Sequence, residues 1–393
     1  MLSPPELRKI AQRETYPASR LRSHYLERMV PWLDKKEIII IKGIRRSGKT
    51  HIMYQLIELL EQKNEEVFYI NFDDFRLDKH LNLDLLEQLI QLRKNKQTFY
   101  FLDEIQRVPG FEKWLRTYYD QEAGIKFIIG GSNISLLTPH LATVLTGRNI
   151  TFEVFPLSYE EFKEFTDQPF ETYLTYGGFP EVVLEADEQK KRDTLAQYLS
   201  DILAKDILAR QPVDNPRQIQ ALITYFLANP GVKISANRLA AQLHIHKDTA
   251  QKYLNYVIDT FLLFEVPFFS YSAKTKYIGA HASKYYLVDN GLHTISAFKK
   301  NEGTLYENLV ATHLRRQGKE LMYWQDGAEI DFIYDETALQ VTASNEIPAR
   351  EKEAFAKLPR KYHRFAKKIV TPRTGRTEED IELVPIEEFL REK

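Results

Sequence analysis

Between positions 38 and 133, short unbroken apolar runs alternate with segments whose apolar residues recur at helical spacing. Positions 38–41 are consecutive isoleucines, the pattern of a strand buried on both faces. The stripe Ile52, Met53, Leu56, Ile57, Leu59 and Leu60 predicts a helix over 50–62. Further strands are expected at 67–72, 98–102 and 126–129, with a helix over 83–92 and room for a fifth strand at 151–154. Strand–helix alternation of this kind predicts a parallel sheet covered by helices on both faces.

After Pro156 the pattern changes. Helices are expected at 157–165, 170–175 and 195–209, interrupted by Gly177, Gly178 and Pro180. A compact helical unit follows over 215–269 and ends in short apolar runs. A helix at 303–316, strands at 321–324, 330–334 and 338–342, another helix and a strand at 368–371 complete the chain. The expected domains are 1–155, 156–214, 215–290 and 291–393.

Composition alters this picture little. Apolar residues make up 43% of the 393 and charged residues 28%, which suits several buried cores. The net charge of −1 provides no global attraction to nucleic acid, so any such contact needs a local basic patch. The absence of cysteine excludes disulfides, thiolate catalysis and cysteine-based zinc sites. The N-terminal residues lack the apolar core of a signal peptide, and no apolar run is long enough to cross a bilayer. A cytoplasmic protein without membrane contact is expected.

The chemistry concentrates where the sheet pattern is clearest. Gly43-Ile44-Arg45-Arg46-Ser47-Gly48-Lys49-Thr50 lies between a buried strand and a helix, the setting of a phosphate-binding P-loop (Walker A). Its glycines let backbone N–H groups wrap phosphates, and the helix N-terminus adds positive potential. Lys49 is placed to neutralise the β- and γ-phosphates of ATP, and Thr50 to hold Mg²⁺. The expected nucleotide-binding set is Gly43, Arg46, Ser47, Gly48, Lys49, Thr50 and His51. The apolar run 98–102 ends in Asp103-Glu104, a Walker B arrangement in which Asp103 holds the metal and Glu104 polarises water. The run 126–129 ends in Gly130-Gly131-Ser132-Asn133. Asn133, and after it Ser132, is the candidate to reach the γ-phosphate or the water, a plain turn or helix cap being the alternative.

These motifs, in this order, resemble an AAA+ ATPase. Leu145-Thr146-Gly147-Arg148, Phe155-Pro156-Leu157-Ser158-Tyr159-Glu160-Glu161-Phe162, Tyr176-Gly177-Gly178-Phe179-Pro180-Glu181 and Lys284-Tyr285-Tyr286-Leu287-Val288-Asp289-Asn290-Gly291-Leu292 narrow the likeness. Nearly the whole chain resembles the bacterial and archaeal AAA+ family with a C-terminal domain of unknown function. The resemblance implies a homo-oligomer, with the hexamer among the candidate sizes. It implies that Arg148 is an arginine finger for the neighbouring subunit. It also implies a linker at Pro156-Leu157-Ser158 near the adenine, followed by a helical lid in which Arg210 is a candidate sensor.

The segment 235–261 reads as a helix–turn–helix and looks like a winged-helix module. Lys247, Thr249 and Lys252 are expected to face outward, with Lys274, Lys276 and Lys284 on or beside the wing. DNA contact and protein contact both remain open for it. The last domain resembles the restriction-endonuclease-like α/β fold, with Glu307, Asp331 and Gln340-Val341-Thr342 at its usual site. The second carboxylate and the lysine are missing there, and Glu329 is expected outside the pocket, so no nuclease activity is expected. The basic stretch 350–376 lies beside an acidic tail at 378–388 and reads as a nucleic-acid surface or a solvated helix face. The leading expectation is an Mg²⁺-dependent ATP-hydrolysing switch or motor acting on DNA or a DNA-bound partner. The alternative is a regulatory or scaffold ATPase whose C-terminal modules bind protein only.

Overall fold

The isoleucines at 38–41 do form a buried strand, and their alternation organises the first half of the molecule. A computed structural model describes residues 2–12, 15–17, 19–121, 124–132, 145–270, 282–296 and 301–392. The chain divides into two units, Met1–Val154 and Phe155–Lys393.

The first unit contains β1 (Ile38–Lys42), β2 (Glu66–Asn71), β3 (Thr98–Asp103), β4 (Ile125–Gly131) and β5 (Asn149–Glu153). All neighbours pair in parallel in the order β2-β3-β4-β1-β5. Side chains alternate between the faces. Ile38, Ile40, Phe68, Ile70, Tyr100 and Leu102 pack with Leu7, Leu86 and Trp114 of helices α1 (Pro4–Ala11), α4 (Leu83–Gln91) and α5 (Phe111–Gln121). Ile39, Ile41, Tyr69, Phe99, Phe101 and Ile128 pack with Leu26, Met53 and Leu56 of α2 (Ser23–Met29) and α3 (Lys49–Glu61). This is the parallel sheet covered by helices on both faces that the apolar runs predict, and it agrees with the P-loop AAA+ fold that the motifs imply. Because the strands are parallel, the phosphate loop after β1, the carboxylates ending β3 and the tip of β4 all lie at one end of the sheet.

The second unit begins with short helices at Tyr159–Phe165, Phe170–Tyr176 and Pro180–Leu184. A longer helix, Glu188–Asp201, continues as a π-helix, Ile202–Leu208. It starts earlier than the apolar pattern implies because Asp187 caps it, accepting from the Lys190 amide. Helices Pro216–Ala228, Ala236–Leu243 and Lys247–Asp259 intersperse with β6 (Val232–Ile234), β7 (Leu263–Val266) and β8 (Ser283–Leu287). These three strands form an antiparallel sheet in the order β6-β8-β7. The helix Glu302–Arg316 precedes a mixed sheet of β9 (Met322–Gln325), β10 (Glu329–Tyr334), β11 (Thr337–Val341), β12 (Ala366–Thr371), β13 (Arg376–Glu378) and β14 (Ile381–Pro385). Their order is β13-β14-β12-β11-β10-β9. One core runs through the unit and joins Leu157, Phe162, Phe264, Tyr286, Leu309, Phe332 and Leu390.

The segment read as an acidic tail is structured. Ile381 and Leu383 are buried while Glu382 between them is exposed, so β14 is a strand with one wet face.

Candidate active site

The loop after β1 makes a close turn against β5. Gly43 has φ 143°, and a Cβ there would fall 2.1 Å from the Val154 carbonyl oxygen. Only glycine fits. The Lys49 ammonium donates to the carbonyls of Gly43 and Ile44, 2.9 Å each. It is thus held over the loop that encloses it. No side chain caps α3, so the amides of its first turn are left to a ligand. Ser47 is buried, and its hydroxyl has no hydrogen-bond partner in the structure. An ammonium, an uncapped helix and an orphaned hydroxyl form a donor set suited to phosphate oxygens. Arg46 has φ 69°. His51 sits in the first turn of α3, and burial lowers its pKa.

Thr50 Oγ1 donates to Asp103 Oδ2 at 2.7 Å, which brings the two expected metal-holding residues together across 53 positions of sequence. Burial pushes the Asp103 carboxyl up, opposed chiefly by the Thr50 hydrogen bond and the Lys49 charge. Glu104 follows in the left-handed region at φ 56°. Its Oε2 accepts from Gln106 Nε2 and lies 3.5 Å from Ser132 Oγ. The pair Thr50 and Asp103 can hold a divalent cation, and Glu104 is the carboxylate next to it. Asn133 lies outside the described residues.

Arg148 is elsewhere. Its carbonyl accepts from the Ile38 amide at 2.8 Å, at the start of β1. The loop leaves the far end of that strand, about 17 Å away at 3.3 Å per residue. The Arg148 guanidinium pairs with Asp120 at 3.0 Å instead. Arg210 pairs with the buried Asp206 at 3.3 Å.

Three residues carry no motif and escape sequence reasoning. Buried Arg22 donates to the Ser47 carbonyl at 2.8 Å and lies over the Tyr25 ring. Tyr69 donates to Asp103 Oδ2 at 3.3 Å. Gln106 holds Glu104. Their partners are remote in sequence or depend on a turn that has no sequence signature.

A second cluster lies in the second unit and corrects two expectations. Lys284 lies on β8, but it is not exposed to meet a phosphate. It is buried, with Nζ 3.0 Å from Glu307, 2.6 Å from Glu329 and 3.4 Å from Asp331. Glu329 therefore belongs to the pocket, because it and Asp331 are two apart on β10 and share a face. Tyr286 also donates to Glu307, at 2.6 Å. Burial alone would lower the Lys284 pKa, but Glu307 foremost raises it well above the ordinary value. Burial, then Glu307, pushes Asp331 up to about 8. Gln340 bridges the Asp331 amide and the Glu329 carbonyl at 2.9 and 2.8 Å. Thr342 Oγ1 accepts from the Ser344 amide. Beside the cluster is a cavity of about 530 Å³, also lined by Arg350 and Lys357. Among the described residues no three histidine or acidic side chains are arranged for a metal ion.

The basic stretch is largely paired. Lys352 meets Glu378, Lys367 meets Asp380, and Lys368 lies 3.1 Å from Glu382. Arg364 lies 2.6 Å from Glu336. No helix among the described residues is long and apolar enough to cross a membrane.

Residues 35–163 match the AAA domain family. Residues 167–302 and 302–389 match two domains of unknown function, DUF8612 and DUF4143. The uncharacterized protein MJ1544 of Methanocaldococcus jannaschii is 32% identical over 347 residues, covering 81% of this chain and 76% of that protein. An uncharacterized protein of Haemophilus influenzae is 32% identical over 360 residues, covering 84% and 88%. Among solved structures, the Aeropyrum pernix Orc1 protein in complex with DNA overlaps 75% of this chain and 94% of its own, at 12% identity and TM-score 0.36. AMPPCP-bound DnaA from Aquifex aeolicus overlaps 62% and 90%, at 16% identity and TM-score 0.32. The chain belongs to one family with the Methanocaldococcus and Haemophilus proteins, and it carries an AAA domain followed by two domains of unknown function.

Proposed function

We propose that this chain is an Mg²⁺-dependent ATPase of the AAA+ type, a homo-oligomeric switch or motor that acts on DNA or a DNA-bound partner. The meeting of Lys49, Thr50, Asp103 and Glu104 at one end of the parallel sheet carries this reading. Lys49 exchanges its loop carbonyls for the β- and γ-phosphates. Thr50 and Asp103 hold the cation, which when bound neutralises charge on the phosphoryl oxygens. Glu104 orients and polarises the attacking water, with Ser132 at hand to align it. Arg148 starts at the opposite end of the sheet, so it serves the γ-phosphate of a neighbouring subunit rather than its own.

We read β6, β7, β8 and the helices around them as a winged-helix module. Lys247 at the start of the helix Lys247–Asp259 is exposed, which suits a phosphate contact. Lys252 is half-buried against Tyr256, and Lys274 and Lys276 lie outside the described residues. The burial of Lys284 and the pairing of the 350–376 stretch favour a second reading, in which the C-terminal modules bind protein only. In either case we read the domain around Asp331 as a binding domain that cuts no DNA, with the Lys284 ammonium rather than a metal ion among its carboxylates.

ATP turnover and filter binding, with and without duplex DNA, separate the two readings. The first expects DNA retention and faster turnover in wild type, and neither turnover nor nucleotide binding in Lys49→Ala. Turnover indifferent to DNA, with no retention, selects the protein-only reading. Turnover surviving in Lys49→Ala overturns both.

A further inference from the structure

We propose that Tyr69 is a positioning residue for the metal site: its hydroxyl, backed by that of Tyr54, fixes Asp103 in the orientation that receives the nucleotide-bound Mg²⁺. This inference rests on the ATPase reading above and adds to it a residue that no motif contains.

Strand register brings Tyr69 to the carboxylate. β2 and β3 pair in parallel with Tyr69 opposite Phe101 and Asn71 opposite Asp103. Alternation sends Tyr69, Phe101 and Asp103 to the face covered by α3. A tyrosine two positions back along the neighbouring strand is long enough to reach the carboxylate diagonally. The contact is present: Tyr69 OH lies 3.3 Å from Asp103 Oδ2. Tyr54, on α3, donates in turn to Tyr69 OH at 3.4 Å. Two hydroxyls, those of Thr50 and Tyr69, thus converge on the same carboxylate oxygen. The rings are locked as well. Tyr54 and Tyr69 stack edge-on at 5.1 Å, and Tyr16 lies 4.9 Å from Tyr54 and 6.3 Å from Tyr69.

A core strand gains nothing from a buried phenol where phenylalanine would fill the same space. The hydroxyl must be hydrogen-bonded or it costs stability. Here it is spent on the carboxylate, and outer partners of this kind fix the rotamer of a metal-holding group. Thr50 alone cannot do this, because its hydroxyl is also the group that meets the cation. Lys49 and Asp73 are charged groups that also act on Asp103. Among the described residues the side-chain hydrogen bonds to the Asp103 carboxylate come from the two hydroxyls, which set its orientation.

The test uses the full chain and a fluorescent ATP analogue, titrated with Mg²⁺ against an EDTA baseline. Tyr69→Phe keeps the ring and removes the donor. Its metal-free affinity for the analogue should match wild type, while half-saturation by Mg²⁺ should need on the order of tenfold more cation. Tyr54→Phe should move the Mg²⁺ midpoint in the same direction by less. Mn²⁺ electron paramagnetic resonance with ATP should show the same weakening independently of turnover. If Tyr69→Phe has a wild-type Mg²⁺ midpoint, or loses affinity equally with and without metal, the tyrosine is core packing and the proposal fails. If wild type binds the analogue with no response to Mg²⁺, the ATPase reading falls as well, an outcome visible before any Tyr69 variant is made.

Discussion

Gly130 shows how closely the site is built at the scale of a single residue. A Cβ there would meet Met53 Cε at 2.2 Å and Asp103 Oδ1 at 2.9 Å. The methionine end is flexible and yields easily. The carboxylate is pinned by Thr50 and Tyr69 and does not. Gly130→Ala should therefore fold and keep metal-free nucleotide binding, yet lose roughly tenfold in Mg²⁺ affinity. Calorimetry with and without Mg²⁺ checks this, and unchanged Mg²⁺ binding would mean that only Met53 moves. The residues of this site differ in how far sequence revealed them. Lys49, Thr50, Asp103 and Glu104 sit in two short segments whose strand and helix context is visible as apolar periodicity. Ser132 was legible as the tip of the next strand. Arg22 and Tyr69 were not, because a buried arginine 25 positions before its partner and a tyrosine inside an apolar run look like ordinary surface and core.

At the scale of the element, β10 illustrates a signal that was present but incomplete. Glu329 and Asp331 alternate onto one face, which the strand pattern itself implies. What the chain order could not supply was that Lys284 of β8, more than 40 positions earlier, faces the same two carboxylates. A cation missing from the expected motif was delivered by another strand. The cluster has a consequence for pH. Asp331 is raised from the ordinary 3.8 to about 8, so the folded chain keeps a proton that the unfolded chain has released across that window. Its contribution to stability is complete below about pH 4 and declines as pH rises through 8, by at most ~1.4 kcal/mol per unit. Asp331→Asn should flatten this slope in chemical denaturation between pH 5 and 8, relative to wild type. An unaltered slope would show that Asp331 is already ionised at neutral pH. Lys284→Met should cost about 1–3 kcal/mol, since it removes the cation that part-buried Glu307, Glu329 and Asp331 share. A loss below 1 kcal/mol would contradict the clustering.

At the scale of the whole molecule, a net charge of −1 leaves recognition to local features, and most basic residues near the C-terminus are engaged by neighbouring acids. The five-stranded sheet was legible because parallel strands buried on both faces give continuous apolar runs. β14 was not, because Glu382 on its wet face and the acids on either side of the strand made it resemble a solvated tail. The proposed assembly rests on the placement of two side chains: Glu104 follows the C-terminal end of β3, and Arg148 precedes β5 at the sheet's other end. Hydrolysis completed between subunits is the central claim, and phosphate release from equimolar mixtures of Arg148→Ala and Glu104→Gln tests it most directly. Each variant alone should bind ATP and turn over slowly, the arginine being worth on the order of 10³ or more in rate. The mixture should recover activity, since about one interface in four then pairs an intact base with an intact finger. A mixture as inactive as its parents, or wild-type turnover in Arg148→Ala alone, would contradict the account.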